Sequence, residues 1–187
     1  DAGAELIWHR RVNDDRSATA TALTEAMTSG ADVILVSGGA SVGDHDHTGA
    51  LFASLGFTLH CEKVASRPGK PFIAASRGRQ LAFGLPGNPL SHFVCFHLFV
   101  KRALDRLAGI APTACVRAQL APNAQLKADP RETWWPCVWA DDGAQRRALP
   151  LPWRDSSDLT VLGAAEGLLR VPSTISLGAE IDILPCR

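Results

Sequence analysis

Three glycine-rich segments, each placed just after a run of strand-forming residues, constrain the fold of this chain more than any other feature. They are Ser37-Gly38-Gly39-Ala40-Ser41-Val42-Gly43-Asp44-His45-Asp46, Arg67-Pro68-Gly69-Lys70-Pro71 and Leu85-Pro86-Gly87-Asn88-Pro89. Each offers backbone N–H groups with no bulky side chain in the way, and the third opens a helix. Exposed amides bind phosphate oxygens and carboxylates bind a cation, so the set suits a phosphorylated ligand held with a divalent metal. One such loop is weak support; three on the same kind of strand exit argue for a site.

The segments between these loops alternate strand and helix. Residues 4–9 read as a strand, and a helix follows over 16–27 with Asp14 or Asp15 as its N-cap. Residues 32–36 are apolar and β-branched, as in a strand covered on both faces. A short helix over 48–55 closes at Gly56, and 57–65 and 71–75 read as extended. The Arg77-Gly78-Arg79 turn then leads into 80–83. The clearest helix runs over 89–107, with Asn88 as N-cap and Pro89 in a first turn where a missing N–H costs nothing. Such alternation predicts an α/β domain built on a doubly wound parallel sheet, whose ligands bind beyond the C-terminal strand ends.

After Gly109 the character changes. Residues 110–112 form a linker, and the proline-rich remainder carries short strand-like runs over 115–120, 133–140, 168–171 and 180–184. The chain therefore divides into an α/β domain over 1–110 and a small β-domain over 111–187.

Composition narrows the function classes. Nineteen basic residues balance nineteen acidic ones, so no global field favours nucleic acid or an anionic membrane, and any anion site is local. Five dispersed cysteines without a C-x-x-C spacing read as reduced thiols of a cytoplasmic protein. No run approaches the roughly 18 apolar residues of a membrane-spanning helix.

The first glycine loop reads G-G-x-x-x-G, which is neither the dinucleotide fingerprint nor the P-loop. Asp44 and Asp46 beside exposed amides cannot both serve an anion without a cation between them. His45 and His47 flank Asp46, but H-x-H without a third ligand reads as a polar loop rather than a zinc site. Asn13-Asp14-Asp15 holds two adjacent acids, one for capping and one for pointing across toward Asp46. Arg67 and Lys70 stand on a backbone stiffened by two prolines, which lowers the entropic cost of presenting cations to an oxyanion. In the β-domain Trp134, Trp135, Trp139 and Trp153 read as core and interface, and Asp155 or Ser156 caps a short helix over 159–165.

Taken together, Ser37-Gly38-Gly39, Ser41-Val42-Gly43, Asp46 and Thr48, then Pro68-Gly69-Lys70-Pro71, then Leu85-Pro86-Gly87-Asn88-Pro89 and Ser91 resemble the molybdopterin molybdenumtransferases. That family includes bacterial MoeA proteins and the C-terminal enzyme domain of gephyrin. The resemblance implies a three-layer, adenylyltransferase-like molybdopterin-binding domain followed by a small C-terminal β-barrel. It also implies a reaction, the insertion of molybdate into adenylylated molybdopterin with release of AMP, assisted by Mg²⁺. By residue it implies Asp46 and Asp14 as acids that hold the metal, with Asp15 the alternative to Asp14, and Lys70 as the catalytic cation. Substrate would be met by Ser37, Gly38, Gly39, Ser41 and Gly43, by Arg67 and Gly69, by Pro86, Gly87, Asn88, Pro89 and Ser91, and by Ser156. Arg67 stands where the family usually has lysine, and 154–158 replaces a common glutamine-glycine-serine-glycine run.

The family's first strand of this domain, with its glycine-aspartate-glutamate signature, is absent, as are its two N-terminal domains, so the natural protein is expected to be longer. The resemblance further implies a homodimer and contact with the molybdopterin adenylyltransferase. The alternative of a different class is a non-catalytic module that binds molybdopterin or a protein partner on the same fold. An adenylyltransferase is a third reading, disfavoured because it would match the α/β domain alone.

Overall fold

The structure, a computed structural model, describes residues 2–38, 47–122, 124, 126, 129–141, 146–153, 158–171 and 180–186. By contacts the chain forms two compact units: residues 1–64 with 71–87, and residues 65–70 with 88–187. The division does not fall at residue 110, because the long helix after Asn88 packs on strands of the β-domain, as shown below.

The first unit is built on a mixed sheet. Its strands are β1 (Val33–Ser37), β2 (Thr58–Cys61), β4 (Ile73–Arg77) and β5 (Gln80–Leu85), in the order β1-β5-β4-β2. Only β1 and β5 run parallel; β4–β5 and β2–β4 are antiparallel. The all-parallel expectation therefore fails, and the reason is local. Gly78 and Arg79 alone connect β4 to β5, with Arg77 opposite Gln80. A connection that short closes a hairpin and cannot cross over to a parallel neighbour.

Residues 4–9 do not form a strand. Leu6 and Ile7 are exposed, at 79% and 50%, and only Trp8 packs against the core. Apolar alternation makes a strand only where a ladder partner exists, and among the described residues this segment has none. β1 is likewise bonded to β5 alone in the described sheet, and its central Leu35 stays 44% exposed.

Helices α1 (Arg16–Thr28) and α2 (Thr48–Ser54) share one cluster on one sheet face. Leu23, Ala26, Leu51 and Phe52 meet Ile34, Ala75 and Ala82 there. The register agrees, since Ile34 lies opposite Ala82 and Ala82 opposite Ala75, and directly paired residues point the same way. Four threonines in α1 return hydroxyls to the preceding turn, including Thr19 to the Asp15 carbonyl at 2.8 Å and Thr24 to the Ala20 carbonyl at 2.9 Å.

The second unit holds a closed five-stranded barrel. Its strands are β6 (Val116–Leu120), β7 (Glu132–Asp141), β8 (Arg146–Pro150), β9 (Gly167–Val171) and β10 (Glu180–Pro185). They follow the order β7-β8-β6-β10-β9, and a β7–β9 pairing closes the ring. The two-residue β3 (Ser66–Arg67) adds in parallel to the start of β7. Alternation sorts the side chains. Cys137, Leu169, Val171, Ile181 and Ile183 fill the barrel, while Trp134, Leu168 and Leu184 face outward onto the helix.

That helix comprises α3 (Pro89–Cys95), a π-helical turn (Phe96–Val100) and α4 (Lys101–Leu107). Its Leu90, Val94 and Leu98 join Trp134, Leu168 and Leu184 in one cluster. Near its C-terminal end Asp105 is buried and paired with Lys101 one turn earlier. The short α5 (Leu159–Ala164) is capped by Asp158, whose Oδ1 accepts from the Thr160 amide at 3.2 Å; the capping candidates Asp155 and Ser156 lie outside the described residues.

Candidate functional site

Asp14 and Asp15 occupy the entrance to α1, and the structure separates their roles. Asp15 is the N-cap: its Oδ1 accepts from the Ala18 amide at 2.7 Å and its carbonyl from the Thr19 amide at 3.0 Å. Asp14 carries no hydrogen bond or ion pair among the described residues, and it lines a cavity of about 120 Å³. The same cavity is lined by Arg16 and Thr19 from α1 and by His47 and Thr48 from the start of α2. His47 is the residue after Asp46. The exit of the first glycine loop and the upstream acid therefore reach one polar cavity. Asp46 itself, with Gly39, Ser41 and Gly43, lies outside the described residues. So does Ser156. Among the described residues no three His, Cys, Asp or Glu side chains gather as a metal site.

The first and third glycine loops meet at the ends of β1 and β5. The Gly38 amide donates to the Leu85 carbonyl at 3.1 Å, continuing the parallel ladder past Ser37. A Cβ on Gly87 would stand 3.4 Å from the Gly38 Cα, an ordinary contact, and a Cβ on Gly38 would meet nothing within 4 Å, so Gly38 is required by its φ of +88° rather than by crowding. The Gly38 amide is thus committed to the ladder and is not a free donor. Pro86 is buried while Gly87 is exposed.

Asn88 sits in the N-cap position of α3, with φ −75° and ψ 126°, and its carbonyl accepts from the His92 amide at 2.8 Å. Its side chain makes no cap bond, and its Oδ1 is buried without a hydrogen-bond partner among the described residues. A buried acceptor left in that state costs about 1–3 kcal/mol, which makes Asn88 a position poised for a donor. Pro89 fills the first turn, and Ser91 is buried beneath it, 7% exposed.

The basic loop places its two cations in opposite situations. Arg67 Nη1 donates to Asp129 Oδ2 at 2.6 Å, and its guanidinium lies 5.9 Å from the centre of the Trp153 ring. Asp129 also accepts on Oδ1 from the Arg131 amide at 3.0 Å and from Arg131 Nε at 3.1 Å. The Arg131 amide above all, with the two guanidinium groups, holds the Asp129 carboxyl at a pKa of about 2. Lys70 is exposed and forms no ion pair with the described residues. Between them Pro68 and Gly69 are buried. A Cβ on Gly69, whose φ is +108°, would lie 2.7 Å from the Cys95 Sγ.

Sequence reasoning missed Cys95, Ser66 and Asp129 as supports of this loop, and read Trp153 as a core and interface residue without its contact to Arg67. Cys95 and Asp129 are separated from the loop by 26 and 62 residues respectively, and neither lies in a motif. No helix among the described residues is long and apolar enough to cross a membrane.

Comparison with known proteins places this geometry. Residues 1–106 match the family model described as a probable molybdopterin binding domain. A molybdopterin molybdenumtransferase of Nostoc sp. is 32% identical over 191 residues, spanning 97% of this chain and 44% of that protein. The Bacillus subtilis protein of the same name is 31% identical over 92% of this chain and 40% of its own length. A crystal structure of a molybdopterin biosynthesis MoeA protein from Pyrococcus horikosii superposes with a TM-score of 0.74 at 26% identity, covering 93% of this chain and 42% of that one. The chain thus spans less than half the length of these relatives. With a fold that superposes on a MoeA structure over most of its length and a family match over more than half of its residues, the chain belongs to the family of probable molybdopterin binding domains.

Proposed function

We propose that the complete protein carrying this chain inserts molybdate into adenylylated molybdopterin with release of AMP. The observation that carries the reading is the cavity in which Asp14, relieved of capping by Asp15, meets His47 at the exit of the glycine loop. A carboxylate held beside an amide-rich strand exit suits a phosphate with its cation. The donor chemistry fits Mg²⁺, since Asp14, and by the family resemblance Asp46, would supply hard oxygen atoms. When bound, the cation would neutralise charge on the phosphoric anhydride as AMP leaves.

The remaining roles belong to the chain's own side chains. Lys70 attracts the molybdate dianion and stabilises charge developing on the anhydride. Gly38 and Gly87 put no side chain in the way of the substrate's phosphates, with Ser37, Gly39, Ser41 and Gly43 in the same loop sequence. Asn88 Oδ1 accepts an N–H from the pterin ring, satisfying its buried lone pairs. Gly69, Pro86, Pro89 and Ser91 shape the supports of these groups, and Ser156 contributes a hydroxyl from the barrel unit. Arg67 adds positive potential while its own charge stays paired with Asp129. The three-layer arrangement of the domain, a homodimer, contact with the adenylyltransferase and a cytoplasmic location complete the proposal.

The test uses the complete protein with adenylylated molybdopterin, molybdate and Mg²⁺. Molybdate-dependent AMP release should fall about 100-fold or more in Asp14→Asn, with substrate Kd changed less than about threefold. Wild-type turnover in Asp14→Asn would remove that acid from the chemistry. Tight pterin binding with no AMP release from the unsubstituted protein would favour the binding module instead.

A further inference from the structure

The loop that carries Lys70 is anchored from below by two buried side chains that no glycine motif includes. Ser66 Oγ donates to the Pro68 carbonyl at 2.8 Å, and Cys95 Sγ donates to the Gly69 carbonyl at 3.5 Å. Both anchors are buried, Ser66 at 5% exposure and Cys95 at 0%. They come from different elements, β3 and α3, so the loop is clasped from two sides. Two consecutive loop carbonyls that point inward are thereby satisfied, as buried backbone acceptors must be.

The fit is steric as well as polar. The missing Cβ of Gly69 leaves room that the Cys95 sulfur enters, with the Ser66 Oγ and the Ser91 carbonyl each 3.8 Å from that Cβ position. Burial raises the Cys95 thiol to a pKa of about 12, so it keeps the proton it donates. The chain then emerges at once into solvent at Lys70.

We propose that Cys95 and Ser66 are positioning residues that lock the backbone of residues 68–69 and so aim Lys70. The inference rests on the proposed function for what Lys70 meets, but the locking itself is a property of the loop. It separates the roles of three residues: Gly69 supplies the space, Cys95 fills and ties it, and Lys70 makes the contact.

The experiment compares Cys95→Ala, Cys95→Ser and the unsubstituted complete protein by amide hydrogen exchange and by steady-state kinetics. Cys95→Ala removes the donor and opens the space, whereas Cys95→Ser restores a donor. The amides of Gly69 and Lys70 should exchange about tenfold faster in Cys95→Ala, with protection elsewhere retained, and return toward the original rate in Cys95→Ser. Where turnover is present, KM for molybdate should rise about fivefold in Cys95→Ala with kcat little changed, and Cys95→Ser should recover it.

Unchanged exchange at Gly69 and Lys70 overturns the locking. Faster exchange with an unchanged KM overturns the aiming of Lys70. A complete protein that never turns over defeats the enzymatic reading, and the exchange data still decide whether Cys95 locks the loop. Should Cys95→Ala fail to fold, Ser66→Ala tests the same clasp from β3, with the same exchange pattern expected.

Discussion

Gly69 and Gly78 each lie in a short turn between two cations, Arg67 and Lys70 in one and Arg77 and Arg79 in the other, and the structure treats them in opposite ways. Gly78 tips the β4–β5 hairpin at φ +58°, and a Cβ there would meet nothing within 4 Å. Gly69, at φ +108°, is buried against Cys95. Arg77 and Arg79 therefore decorate an open turn, whereas Lys70 stands on a packed frame. A glycine between cations carries functional meaning only when something beneath it holds the backbone still.

The sharpest way to break this comparison is to add one methyl group at each glycine. Gly69→Ala combines an unfavourable φ with a 2.7 Å approach to a buried sulfur, so the expected cost is about 3 kcal/mol or more. Gly78→Ala pays only for the left-handed backbone, about 1 kcal/mol. Urea denaturation of both variants gives the two numbers directly. Equal costs would mean that Cys95 yields easily and that the frame under Lys70 is soft.

A smaller effect separates the two cations of the basic loop. Lys70→Ala should leave the unfolding midpoint within about 1 °C, because its side chain touches no described partner, yet lower kcat/KM about 100-fold. Arg67→Ala should do the reverse and destabilise the protein by about 1 kcal/mol through loss of the Asp129 pair and the Trp153 face. Thermal melts read beside steady-state rates show the split. Loss of rate without loss of stability in Arg67→Ala would place it with Lys70 at the substrate.

Much of this arrangement was legible in the residues, and the misses have physical causes. The helix at 89–107 was readable because Asn88-Pro89 marks its start and its apolar residues are plentiful. The strands of the β-domain at 116–120, 167–171 and 180–185 carry β-branched or leucine-rich alternation and were placed to within one residue. β8 was not seen, because its inward residue is Ala148 and its neighbours are two arginines and an exposed Leu149, a weak strand signal. The direction of β4 relative to β5 was written in the two-residue connection, yet strand–helix alternation elsewhere suggested a parallel sheet. Residues 4–9 look like a strand in every local respect, but a ladder partner is a non-local fact. The same limit hid Cys95 and Asp129: the motif shows which residues face a ligand, and not the distant side chains that hold the motif in place.

The smallest effect, and the one that tests whether Arg67 is a clasp, is a dependence on pH. The Asp129 carboxyl lies at a pKa of about 2, below its ordinary 3.8, chiefly because of the Arg131 amide and guanidinium, with Arg67 adding to them. A lowered carboxyl pKa contributes stability that is fully present above the unfolded-state value near 3.8 and is lost as pH falls through about 2. The unsubstituted protein should therefore melt higher than Asp129→Asn above pH 4, and the two melting curves should converge as pH approaches 2. Comparing the difference between the two proteins cancels the titration of the other carboxylates. A difference that stays constant across that window would mean that Asp129 acts by shape alone. The substitution also bears on the cations: Asp129→Asn releases Arg67 without touching Lys70. If KM for molybdate then stays unchanged near neutral pH, Arg67 is a strut of the loop, and Lys70 alone carries its charge to the substrate.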